Sequence, residues 1–290
     1  LFEPLKSLLP ARFRAKGPVI PVVRLAGAIG MGTPFRPGLS LPAVSAALER
    51  AFSIKRAPAV ALSINSPGGS PVQSHLIYKR IRQLAVEKNK TVIAYVEDVA
   101  ASGGYMIACA ADEIVADPSS IVGSIGVVSA SFGLDRFIER YGIERRVYTS
   151  GTRKVTLDPF QPENLEDVEH LKALQRDVHQ MFIDLVTERR GASLSVSEDL
   201  FSGLFWAGEA GRALGLVDRT GDIRADLKTR FGEHATPRLV AADRGLFRRR
   251  PTGIAGGLSL AGASLAGPAL SVDEALTAIE IRALWARYGL

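Results

Sequence analysis

Cysteine and histidine are scarce in this 290-residue chain: Cys109 stands alone, and the histidines are His75, His170, His179 and His234. A lone cysteine forms no internal disulfide, so a disulfide-stapled scaffold is excluded, and Cys109, set in an apolar helical run, reads as a small core residue. The four histidines fall in polar or helical contexts and read as surface residues. His170 and His179 are nine apart on one predicted helix and do not share a face, so no metal site is expected. Zinc-ligand spacing and basic motifs interleaved with aromatics are missing too. The net charge of +6 therefore does not point to nucleic acid; the excess sits mainly at the two ends, where attraction to anionic lipid explains it with fewer assumptions. A clean membrane span is also lacking. The uncharged stretch from Pro251 to Val272 approaches the needed length, but Gly253, Gly256, Gly257, Gly262, Gly267 and Pro268 make it a poor helix, and it reads as a flexible linker.

What is present is an alternation of strand and helix patterns in a chain that is 47% hydrophobic and 23% charged, enough to bury a large core. The pattern predicts strand 19–25, helix 41–53, strand 59–64, helix 71–88, strand 91–96, helix 102–110, strands near 113–116 and 125–129, helix 133–141 and strand 144–149. The longest predicted helix is 164–190, with one apolar stripe from Leu165 through Leu171, Leu174, Val178, Phe182 and Leu185, expected by default to face the core, a neighbouring subunit being the alternative. The class is α/β.

The most informative stretch is Val99-Ala100-Ala101-Ser102-Gly103-Gly104-Tyr105. It sets one hydroxyl among residues too small to shield it, between an apolar strand and an apolar helix whose first free N–H groups favour negative charge. Taken alone, a serine before two glycines reads as a helix cap or a turn. A second strand-to-helix junction, Asn65-Ser66-Pro67-Gly68-Gly69-Ser70, has paired glycines whose N–H groups can turn toward a bound carbonyl, although taken alone they read first as a tight strand-to-helix turn. A third segment, Ser150-Gly151-Thr152-Arg153-Lys154, holds a lysine in a small-residue turn. A serine nucleophile needs a neighbouring base, and none of the histidines lies between Ser102 and Lys154. Lysine is the usual alternative, where burial lowers its pKa from about 10.4 toward neutrality.

Four ordered motifs, Ser-Pro-Gly-Gly at 66–69, Ala-Ala-Ser-Gly-Gly-Tyr at 100–105, Ile-Val-Gly-Ser-Ile-Gly-Val at 121–127 and Ser-Gly-x-x-Lys at 150–154, resemble the signal-peptide-peptidase (SppA/SohB-like) family of serine/lysine proteases. The likeness runs from about Pro18 to Asp222. It implies a ClpP/crotonase-like fold of repeated ββα units, forming a single catalytic domain with a helical C-terminal extension. It also implies roles: Ser102 as nucleophile, Lys154 as general base 52 residues later, Ser124 orienting the lysine, and the N–H groups of Gly69 and Gly103, with Gly68 beside them, as oxyanion hole. Ser124 also reads as an ordinary turn hydroxyl. Val155 stands where many members have an acid, which resembles the SohB-like branch. Arg153, next to Lys154 in an extended segment, is expected to face solvent.

The implied activity is serine endopeptidase cleavage of signal-peptide remnants or other membrane-associated peptides through an acyl-enzyme, with no metal and no cofactor. The alternatives are a catalytically silent peptide-binding scaffold and a crotonase-type acyl-CoA enzyme, since that fold uses paired amides for thioesters as well. The family's rings and domes imply a homo-oligomer, in which the dyad forms within one chain or is shared between subunits. Three parts are expected: a basic amphipathic segment at 1–17, the protease domain at 18–243, and a linker with an amphipathic helix at 244–290. The first segment, with Leu1, Phe2, Leu5, Leu8 and Leu9 on one face and Lys6, Arg12, Arg14 and Lys16 nearby, suits an anionic membrane surface or docking on the domain. The expected location is the bacterial inner membrane, on a side left open, and a chain starting at Leu1 leaves room for a preceding anchor.

Overall fold

The computed structural model describes residues 17–32, 38–241 and 272–290. The segment expected at 1–17, apart from Gly17, and the linker expected from Pro251, apart from Val272, lie outside them. The strands are β1 (Val19–Ala26), β2 (Ala59–Ser66), β3 (Thr91–Ala101), β4 (Glu113–Ala116), β5 (Ile121–Gly123), β6 (Phe205–Ala207), β7 (Arg219–Thr220) and β8 (Thr236–Leu239). The helices are α1 (Leu41–Ser53), α2 (Pro71–Lys88), α3 (Gly103–Ala108), α4 (Asp135–Arg140), α5 (Leu165–Arg190), α6 (Gly208–Ala213), α7 (Ile223–Phe231) and α8 (Val272–Ala286).

One sheet runs in the order β6-β5-β3-β2-β1-β8, with β4 joined to β3 and β7. Every pairing is parallel except β5 with β6. Parallel strands are covered on both faces, and β2 is accordingly buried at every position except the half-buried Ser63. Helices α1, α2, α3 and the end of α5 bury one face around Leu62, Ile64, Ile77, Ile81, Tyr105 and Phe182. The other face is covered by α7, through Leu227 against Ile20, Ala61 and Ile93, and further along by Trp285 and Tyr288 against Val99 and Ala101. The guanidinium of Arg190, buried at the end of α5, grips Asp218 with two bonds of 2.8 and 2.9 Å, while Asp218 accepts Ile114 N–H at 2.7 Å. That clamp ties the long helix to β4.

Helices α1 and α2 each carry a proline in their first turn; at α2, Ser70 Oγ also accepts Gln73 N–H, and Asn89 closes the helix in a left-handed conformation. Three expectations change. The strand expected at 125–129 is instead β5 at Ile121–Gly123, because Ser124, at φ 53°, turns the chain out of the ladder. The strand expected at 144–149 finds no neighbouring strand among the described residues and runs exposed. The stripe of α5 is buried only toward its end, at Phe182, Leu185 and Val186, while Leu165 and Leu174 project past the sheet into solvent. Cys109 is a core residue, as expected, and burial pushes its thiol up to about 12. Because burial disfavours the thiolate, the folded chain should resist thiol-alkylating reagents at a pH of about 8, below the ordinary thiol value, and expose one reactive thiol in urea; rapid alkylation of the folded chain would contradict this packing.

Candidate active site

The site is built where β3 ends. Ile64 pairs with Val96 and Ser66 with Ala100, so Glu97, Asp98 and Val99 of β3 stand against Asn65 alone. Such a bulge re-aims the strand that follows. It is braced by Arg24, whose guanidinium makes two bonds of 3.0 and 2.8 Å to Glu97, and by Asn65, which donates to Asp98 at 2.6 Å. The hydrogen bonds from Arg24 hold the Glu97 carboxyl below its ordinary range, against the opposing effect of burial.

Past the bulge, Ala101 pairs with Gly123, and the next residue of each strand leaves the ladder: Ser102 at φ 52° and Ser124 at φ 53°. Ser102 N–H donates to Gly123 O at 2.8 Å, fixing the two turns side by side. Left-handed backbone at a residue with a side chain costs about 1–3 kcal/mol. Here it sets Ser102, half-buried, at the N-terminal end of α3 and in a narrow cleft. Gly69 and Gly103 line the cleft beside it, with Met106, Val178 and Phe182 as an apolar wall.

The glycines divide the work. Gly68 has φ 101°, and a Cβ there would lie 2.8 Å from Ser102 Cβ, so only glycine lets this loop approach the serine. Its N–H donates to Ser66 Oγ at 3.2 Å, so in this structure Gly68 spaces the loop against Ser102 with its donor already engaged. Gly69 is packed so closely that a Cβ would come 2.2 Å from Ile29 O. Among the described residues the N–H groups of Gly69 and Gly103 make no hydrogen bond, and both border the cleft. A carbonyl oxygen entering beside Ser102 would find them free.

Ser124 is buried; its N–H donates to Leu204 O at 2.7 Å and its Oγ accepts from the Tyr288 hydroxyl at 3.2 Å. Ser102, Ser124, Gly68, Gly69 and Gly103 are therefore assembled within one chain. Lys154 is not among the cleft-lining residues. It is exposed, in a turn closed by its own N–H to Gly151 O at 3.3 Å, on an arm of residues 128–160. Arg153 faces solvent as expected, paired with Glu166 at 2.6 Å. His179, expected as a surface residue, is half-buried, with Nε2 3.1 Å from Ile125 O, because Val178 and Phe182 on its helix turn that face onto the cleft. The signal was its position three residues before Phe182 in the apolar stripe. The contact of Tyr288 with Ser124 had no counterpart in the sequence reading. No group of three or more metal-ligating side chains occurs among the described residues.

A central, mostly parallel sheet with helices on both faces, and a serine lifted from a strand end onto a helix N-terminus, define an α/β protein of ClpP-like architecture. The chain belongs to peptidase family S49, whose model matches residues 85–235. It is 34% identical to the chloroplastic serine protease SPPA of Arabidopsis thaliana, over 70% of this chain and 31% of that one. It is 35% identical to protease 4 of Salmonella typhi, over 57% of this chain and 26% of that one. A Brucella abortus protein named Na(+)/H(+) antiporter NhaA is 57% identical over 99% of this chain, which spans 39% of that protein's length.

The backbone at Ser102 is itself testable. Ser102→Gly should stabilise the fold by about 1 kcal/mol, the relief of strain less the added freedom of the unfolded chain, whereas Ser102→Ala should not. Equal unfolding midpoints in urea for all three proteins would show that Ser102 carries no strain.

Proposed function

We propose that the chain is a serine endopeptidase whose nucleophile is Ser102 and whose general base is Lys154 supplied by a second copy of the chain. The observation that carries the first part is Ser102 itself, held in a costly backbone conformation in an apolar-walled cleft beside two N–H groups that make no hydrogen bond among the described residues. The neutral amine of Lys154 removes the hydroxyl proton as Ser102 Oγ bonds to the scissile carbonyl carbon. The N–H groups of Gly69 and Gly103 hold the resulting oxyanion. Collapse breaks the C–N bond, the lysine returns the proton to the departing amine, and a water activated by the same lysine then hydrolyses the ester.

The arm supports the second part. Phe132 is 83% and Tyr148 91% exposed, with Val128, Phe137, Tyr141 and Ile143 also largely in solvent, an apolar concentration that suits burial against another protein surface. Its residues 144–149 lack a strand partner among the described residues. Docking this arm on a second copy would cover the apolar side chains and desolvate Lys154, which favours the neutral form a base requires. Ser124, beside Ser102, would accept an N–H of the amine and aim its lone pair.

The substrates in this reading are peptides released in or near a membrane. The basic segment at 1–17 and the antiporter name of the Brucella relative support a membrane-surface location. Among the described residues no helix is long and apolar enough to cross a membrane.

Ser102→Ala and Lys154→Ala should each lower peptide cleavage by at least about 10³-fold, with the fold intact by circular dichroism. Mixing the two inactive proteins under subunit exchange should restore part of the activity, since some interfaces then pair an intact serine with an intact lysine. No recovery from mixed oligomers would place the dyad within one chain, and undiminished cleavage by either variant would refute the mechanism.

A further inference from the structure

Tyr288, just beyond α8, is the residue the proposed mechanism does not use. Its side chain is buried against Val99 and Ala101, its ring meets Phe205 edge-on with centroids 5.0 Å apart, and its hydroxyl donates to Ser124 Oγ at 3.2 Å. Phe205 follows Leu204, whose carbonyl accepts Ser124 N–H. One short segment thus holds the backbone of Ser124 directly and its hydroxyl through Tyr288.

The direction of approach decides what this contact does. Val99, Ala101 and Tyr288 form one cluster with Ile121 and Trp285, whereas the cleft wall of Met106 and Phe182 belongs to the core on the opposite face of the sheet. Tyr288 does not line the cleft. It therefore reaches Ser124 from behind, leaving the side toward Ser102 clear. A serine hydroxyl has two acceptor lone pairs and one proton. The phenol occupies one lone pair, and the other remains for an amine N–H.

We infer that Tyr288 is a positioning residue: its hydroxyl fixes the Ser124 side chain so that the oxygen faces the incoming lysine. The inference rests on the Ser102–Lys154 mechanism proposed above. Without the phenol hydroxyl the serine rotates among its staggered positions, and the lysine loses a fixed partner while peptide binding is untouched.

Tyr288→Phe keeps the ring and its packing. It should lower kcat for peptide cleavage about tenfold and leave KM unchanged. In a Ser124→Ala background the same substitution should have no further effect, because Tyr288 acts only through Ser124. Four results would overturn the inference: unchanged kcat in Tyr288→Phe, a faster variant, a silent Ser124→Ala, or losses that multiply in the double variant. These leave the parent mechanism standing if Ser102→Ala and Lys154→Ala are inactive. Cleavage that survives in those two proteins would instead remove the mechanism itself.

Discussion

The hydrogen bond from Ser102 N–H to Gly123 O is the contact on which the site depends. It is the last rung between β3 and β5, and each strand turns out of the ladder one residue later with positive φ. Two adjacent left-handed residues would be poor local choices in isolation. The rung makes them mutually supporting, since neither strand can resume pairing without dislodging the other. The bulge at Glu97–Val99 and its brace to Arg24 act on the same point from upstream, setting the angle at which β3 delivers the serine to α3. Strain is concentrated at Ser102 and Ser124, and the sheet that offsets it is buried on both faces.

The glycine loop after β2 extends the same logic. Gly68 lies against Ser102 and spends its N–H on Ser66, so its contribution is shape. Gly69 and Gly103, one from each junction, border the cleft, and among the described residues their N–H groups make no hydrogen bond. In the proposed mechanism such a pair, drawn from two strand ends, is held by the sheet register, so reorganisation at the moment of reaction is avoided.

Much of this was legible in residues 59–124. Proline, serine and asparagine punctuation marks α1 and α2, and the paired glycines mark both junctions, because these signals act through local backbone geometry. The signals failed where non-local pairing decides. Residues 125–129 have the composition of a strand, yet Ser124 redirects the chain before them. Residues 144–149 have it as well, and lack a partner to pair with among the described residues. His179 was misread because the context of a polar neighbour set hid its place on the cleft side of α5. Tyr288 lies 164 residues from Ser124, and no local pattern reports a contact of that separation.

The arm gives the proposed mechanism its control. A nucleophile carried by a braced sheet keeps its geometry whether or not the base is present, whereas a lysine on an exposed arm acquires the required desolvation only on docking. In the proposed assembly the single chain is therefore a folded but incomplete enzyme, and completion costs no rearrangement of the core. The exposed apolar side chains around Phe132 and Tyr148 supply a driving force for that docking through their own burial, roughly 25 cal/mol per Å² of area removed from water, so the interactions that build the oligomer are the ones that switch on the base. Separating the braced half of the site from its exposed half would, in this proposal, confine peptide hydrolysis to the assembled form.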